Sequence, residues 1–107
     1  MFGTWCACVV FLGVLMAPQE KRSSRAASTG KELFEQCRGC HGSETDEKKA
    51  GPSLKGLFKR SRLRNGEVVS EKSVREKIEQ GGDGMPAYSG MLSEQKKNDL
   101  IAFLKQL

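Results

Sequence analysis

Cys37-Arg38-Gly39-Cys40-His41 is the stretch on which the reading of this chain turns. Two thiols three residues apart, followed at once by an imidazole, form the C-x-x-C-H attachment pattern of c-type haem. The spacing has a chemical reason. At a helix end the two sulfurs can add to the two vinyl groups on one porphyrin edge, which leaves the next side chain under the ring and within reach of the iron. His41 is the only histidine among the 107 residues, so no other imidazole competes for that place. The pattern predicts one covalent haem c, held by Cys37 and Cys40 and ligated by His41.

Three plainer readings of the same residues fare less well. A thiol–disulfide redox pair of this spacing belongs with a βαβ pattern, and strand signals are nearly absent here. A zinc site takes four ligands, and beyond the motif only Cys6 and Cys8 remain, inside an apolar N-terminal run. A structural disulfide with His41 as a bystander explains neither the thin core nor the glycine-rich methionine loop at 81–86.

The core argument comes from composition. Sixteen of the forty apolar residues lie in positions 1–28, which leaves twenty-four in the seventy-nine from Thr29 to Leu107. A domain so short and so poor in apolar side chains does not build a sufficient core from peptide alone, and calls for a disulfide, metal or cofactor inside it. A large pocketed enzyme, a multidomain protein and a multi-span membrane protein are excluded on the same numbers.

The chain divides into three. Residues 1–17 hold a thirteen-residue apolar run, Trp5–Ala17, closed by Pro18. That is short for a bilayer span and fits the apolar part of a secretory signal, with an uncleaved single anchor as the alternative. Lys21, Arg22 and Arg25 follow the run and no basic residue precedes it, the reverse of the charge order that export favours. Cys6 and Cys8 read as apolar residues of this segment. Residues 18–28, polar, basic and serine-rich, read as linker, and 29–107 as the folded domain.

That domain reads as all-α, three to four helices with long loops. Thr29 is placed to cap a short helix over Lys31–Gln36. Residues 42–66 hold four of the twelve glycines and read as loop, with a turn signal at Asn65-Gly66 that would suit a short hairpin. Ser70 or Ser73 starts a second helix in which Val74 and Ile78 recur at i,i+4, and Gly81-Gly82 ends it. Ser93 caps a last helix to Leu107, whose Leu100, Ile101, Phe103, Leu104 and Leu107 oppose Lys96, Lys97, Asp99 and Lys105.

The second axial ligand follows by elimination. Without another histidine, a thioether is the usual partner, giving a Met/His iron of raised potential. Met1 and Met16 fall in the N-terminal segment, leaving Met85 and Met91. Met85 sits in Gly81-Gly82-Asp83-Gly84-Met85-Pro86, where the glycines let backbone approach a flat macrocycle and Pro86 stiffens the position after the methionine. Met91 adjoins the Ser93 cap and reads as a staple packing on the last helix. Met85 is therefore the expected ligand. If it were only a core methionine, the iron would be open on one side.

Gly30-Lys31-Glu32-Leu33-Phe34, the C-x-x-C-H motif, Gly51-Pro52-Ser53-Leu54, Gly84–Tyr88 (GMPAY) and the closing LIAFLKQL together resemble class I cytochrome c, and among these the small bacterial monohaem members. The resemblance runs from Thr29 to Leu107. It implies that the first and last helices cross, with Gly30 and Phe34 facing Phe103, and that the Pro52 carbonyl accepts a hydrogen bond from the His41 ring. Pro52 thereby joins Cys37, Cys40, His41 and Met85 as a haem-site residue. Lys55–Val69 is basic and departs from the mitochondrial members, so no propionate ligand is carried over there.

The implied function is one-electron transport in the periplasm between respiratory or dehydrogenase partners. A haem enzyme of peroxidase type or a diatomic-gas sensor, each with an open axial site, is one alternative; an electron-entry subunit of a larger oxidoreductase is another. Seven bases and no acid lie between Lys48 and Arg64, whereas Glu67–Asp83 carries five acids and three bases. The basic loop reads as a solvated loop, as a dock for an acidic redox partner or as a propionate holder. No aromatic residues interleave it as a nucleic-acid platform needs, so nucleic acid is not an expected partner.

Overall fold

The computed structural model describes residues 19–107 together with Gly3 and Gly13. The apolar segment at 1–17, with Cys6, Cys8, Met1 and Met16, and its reading as signal or anchor otherwise lie outside the described residues. Among the described residues three helices follow one another, α1 (Gln19–Phe34), α2 (Glu71–Gln80) and α3 (Glu94–Leu104), with a single 3-10 turn at Leu57–Lys59. Among the described residues no helix is long and apolar enough to cross a membrane. The fold is all-α, as the helical periodicity implies.

α1 differs from expectation at both ends. It starts at Gln19 and stops at Phe34, so residues 19–28, which read as linker, are helical, and Thr29 lies inside the helix instead of capping it. The physical reason lies in the residue types: Gln, Glu, Lys, Arg and Ala are good helix formers, and Glu20 complements the positive end of the helix in its first turn. Ala27, Gly30 and Phe34 then fall on one face and are buried.

That face meets α3. A Cβ on Gly30 would lie 2.7 Å from the Phe103 Cβ and closer still to the Asp99 carbonyl, so only glycine lets the two backbones approach this closely. One turn on, the Phe34 and Phe103 rings stand 5.2 Å apart at 47°, within the range of favourable tilted aromatic pairs. Phe34 is only 2% exposed and is the largest fully buried side chain. Around it lie Leu57, Val74, Ile78, Leu92, Leu100, Ile101 and Leu104. The helix crossing implied by the family resemblance is therefore present.

α2 is capped by both candidate serines. The Ser70 hydroxyl accepts the Ser73 N–H at 3.0 Å, and the Ser73 hydroxyl accepts the Ser70 N–H at 2.9 Å while donating to the Val68 carbonyl. Such a reciprocal box satisfies donors that a helix start otherwise leaves unpaired. The turn at Asn65-Gly66 is tighter than a hairpin of two strands: one antiparallel bridge joins Arg62 and Val68, and the Leu63 N–H donates to the Glu67 carbonyl at 2.7 Å.

α3 corrects two further expectations. Beside the Ser93 cap it is Leu92, 7% exposed, that joins the core, whereas Met91, the expected staple, is 64% exposed. Lys97 and Asp99, expected on the open face, are buried. The Lys97 ammonium donates to Glu94 at 2.7 Å and to Glu79 of α2 at 3.0 Å, and Asp99 accepts from Gln95 at 2.9 Å, so neither charge is buried without a partner.

Candidate haem site

α1 ends three residues before Cys37, and the chain turns tightly through the motif instead of continuing the helix. The Cys37 N–H donates to the Phe34 carbonyl at 2.8 Å, and the Cys40 and His41 N–H groups both return to the Cys37 carbonyl, at 3.1 and 2.9 Å. The turn thus hangs from Phe34, the best-buried side chain of the core. Two contacts brace it from the far side: the Gly51 N–H donates to the Cys40 carbonyl at 2.7 Å, and the Lys49 ammonium to the Arg38 carbonyl at 3.1 Å.

Both motif thiols are free; Cys37 is half-buried and Cys40 exposed. Burial pushes the Cys37 thiol above its ordinary pKa, and the neighbouring Cys40 adds to the shift. The His41 ring is half-buried, with Nδ1 2.7 Å from the Pro52 carbonyl oxygen. A carbonyl can only accept, so Nδ1 carries the proton and Nε2 keeps its lone pair for a metal. Gly51 forms the wall beside the ring. A Cβ there would stand 2.6 Å from the imidazole Cε1 and 2.8 Å from Nδ1.

Met85 is placed by a different loop, between α2 and α3. Gly81, Gly82, Asp83 and Gly84 all have positive φ, of 62°, 110°, 54° and 88°. Gly82 and Met85 exchange two backbone hydrogen bonds of 3.0 Å each, which closes the turn. The returning segment is fastened to α2 by the Tyr88 N–H on the Ile78 carbonyl at 3.0 Å and the Ser89 N–H on that of Glu79 at 3.2 Å. The Met85 side chain is half-buried against the core, as are Cys37, Leu54, Phe58, Leu63 and Tyr88.

These donors fit a haem. Two neighbouring free thiols, an imidazole with a free Nε2, a thioether on a hydrogen-bonded turn and a set of half-buried apolar side chains are what a covalently held porphyrin requires. Cys37, Cys40, His41 and Pro52 are gathered into one turn-and-loop unit, and Met85 is carried by the α2–α3 loop. The bracing roles of Gly51 and Lys49 are not among the sequence expectations. For Gly51 a signal exists: a glycine directly before the proline that receives the histidine has to let backbone pass the ring.

A cleft of about 400 Å³ adjoins Pro52 and is lined by Lys48, Lys49, Arg60, Arg62 and Arg64. Part of this charge is used internally. Arg60 donates to the Ser53 and Lys55 carbonyls at 2.9 and 2.8 Å, and Arg62 to that of Gly66 at 2.9 Å. The basic loop is thus pinned by its own guanidinium groups while its lysines stay exposed.

Residues 25–104 match the family described as Cytochrome C oxidase, cbb3-type, subunit III. The chain belongs to the class I cytochromes c. It is similar to cytochrome c2 of Blastochloris viridis, 32% identical over 112 residues that cover 89% of this chain and 88% of that protein. It is also similar to cytochrome c-550 of Bacillus subtilis (strain 168), 33% identical over 89 residues, or 82% of this chain and 63% of that one. As a small monohaem cytochrome c, it is an electron-transfer protein with one covalently bound haem c, it acts with redox protein partners, and it is not an enzyme.

Proposed function

We propose that this cytochrome is a periplasmic one-electron shuttle whose haem, attached at Cys37 and Cys40, is ligated by His41 and Met85. The hydrogen bond from His41 Nδ1 to the Pro52 carbonyl, at 2.7 Å, carries the reading. It directs the ring's lone pair away from the peptide and makes Nε2 a stronger donor, as carbonyl partners do for metal-bound histidines. Bound there, the haem supplies one iron that gains and loses a single electron.

The chain's own residues set the terms of that exchange. The Gly51 wall and the Pro52 carbonyl fix the imidazole so that it need not reorient between oxidation states. The Met85 thioether, a soft and uncharged donor, favours ferrous iron, and the apolar surround of Leu54, Phe58, Leu63 and Tyr88 disfavours the extra charge of the ferric form. Low reorganisation and a raised potential suit a carrier rather than a catalyst.

The exposed lysines at 48, 49, 55 and 59 form the surface that would meet an acidic redox partner, donor or acceptor. Periplasmic placement is supported by the apolar N-terminal segment of the sequence, which serves as signal or inner-membrane anchor, and by the attachment of such haems outside the cytoplasm. A second reading, an electron-entry subunit of a larger oxidoreductase, draws support from the matching family's description as an oxidase subunit. Co-purification of the native protein from its membrane separates the two.

The ligand assignment is tested by Met85→His. Axial ligation spans about 0.8 V of haem potential, so exchange of a thioether for an imidazole should lower the midpoint by a substantial fraction of that span. Equal midpoints in redox titrations of the two forms would refute Met85 as a ligand.

A further inference from the structure

We propose that Lys77 is a positioning residue for Met85: its ammonium clamps the Gly81 carbonyl and holds shut the turn that presents the thioether. The proposal rests on Met85 being the sixth ligand. Lys77 Nζ donates to the Gly81 carbonyl at 3.2 Å, and the Gly81 N–H donates back to the Lys77 carbonyl at 2.8 Å. Lysine and glycine are therefore joined twice, once through side chain and once through backbone.

Gly81 transmits this grip to Met85. Its α-carbon lies so close beneath the next turn that a Cβ there would stand 2.6 Å from the Pro86 carbonyl oxygen and nearer still to that of Met85. Gly82 in turn shares both of its turn hydrogen bonds with Met85. Lys77 Nζ also comes within 3.7 Å of where a Gly82 Cβ would be, so the ammonium sits over the start of the turn.

The turn needs such a hold. Of its four successive residues at positive φ, three are glycines, which adopt that conformation freely but lose the most freedom in being held there, and Asp83 is the one that it strains. The carbonyls at the end of α2 carry partial negative charge, and the half-buried Lys77 in its last turn answers it. A lysine that merely capped the helix would add stability without governing how often the thioether leaves its place. The clamp ties the two together.

The test uses the holoprotein and added imidazole as a competing ligand. In the ferric protein, displacement of Met85 is followed by loss of the thioether-to-iron charge-transfer band. Lys77→Gln should raise the displacement rate about fivefold, the effect of losing one hydrogen bond of ordinary net strength. Lys77→Arg should restore it to within about twofold of wild type, because a guanidinium can still reach the carbonyl. Lys72→Gln, on the exposed side of the same helix, should leave it unchanged. In the ferrous protein, amide exchange at Gly82 and Met85 should accelerate in Lys77→Gln by the same factor, with Leu100 in α3 unaffected.

An unchanged rate in Lys77→Gln overturns the proposal, as does an equal rise in Lys72→Gln or at the Leu100 amide, which would mark general loosening. Met85→Ala separates the two levels. If the band survives that substitution, the ligand assignment fails and takes the clamp with it. If the band is lost there yet Lys77→Gln behaves as wild type, only the clamp is wrong.

Discussion

Gly51→Ala probes the imidazole wall directly. The added Cβ would stand 2.6 Å from His41 Cε1, and ordinary contact begins at 3.4 Å, so ring and loop must separate by about 0.8 Å. The Nδ1–H bond to Pro52, now 2.7 Å, would then stretch to about 3.5 Å, beyond useful hydrogen-bond length. A bond of this kind has a net worth of about 0.5–1.5 kcal/mol. For a single electron 59 mV corresponds to a factor of ten, so the largest change in midpoint is about 20–60 mV. The sign comes from the donor. A ring that gives its proton to a carbonyl is more electron-rich at Nε2 and favours ferric iron, so loosening it raises the potential. Spectroelectrochemical titration reads the midpoint, and proton exchange at the ring nitrogen should quicken in the variant. A midpoint at or below the wild-type value, with haem still attached, would show that the wall and the carbonyl do not govern the ligand.

Gly30→Ala should push α1 off α3, since its methyl meets the Asp99 backbone and the Phe103 Cβ. Overpacking of this kind costs about 1–3 kcal/mol, which lowers Tm by about 4–8 °C per kcal/mol in a domain of this size; a thermal melt followed by circular dichroism measures it. The Glu94–Lys97 pair sets two limbs of the pH profile. Its hydrogen bond to Lys97 holds the Glu94 carboxyl below the usual glutamate range, so this stabilisation is complete above the ordinary glutamate pKa and fades as pH falls through the depressed one. Hydrogen bonds to Glu94 and then Glu79 hold Lys97 above the usual lysine range, so its contribution is complete below the ordinary lysine pKa and fades as pH rises through the raised one. Denaturant midpoints of Lys97→Met should be flatter on both limbs than those of wild type; identical limbs would leave the pair without a role.

The features legible in the sequence are those that covalent chemistry or strictly local rules dictate. The C-x-x-C-H spacing admits few uses, and the single histidine leaves no choice of imidazole. Ser70 and Ser93 announce helix starts because a hydroxyl three residues before a free N–H satisfies it wherever it occurs, and Ser73 answers Ser70 from inside the helix. Gln19–Ser28 is helix that reads as linker, because its serines and charges look like loop and helix propensity is a weak prior until a partner helix covers Ala27 and Gly30. The burial of Lys97 depends on Glu79, eighteen residues away in the chain, and no window of local pattern contains both. Met91 and Leu92 are neighbours of similar character, and only the register of the cap decides which one turns inward. The bracing of the motif by Lys49 and Gly51 likewise comes from the return of a loop.

Intact-mass measurement of the protein matured in a host that attaches haem, taken before and after denaturation, bears most directly on the whole scheme. The expected result is a domain heavier than its polypeptide by one haem, with the added mass surviving denaturation and both motif sulfurs blocked to alkylation. A folded, colourless protein at bare polypeptide mass, with Cys37 and Cys40 open to alkylation, would contradict it.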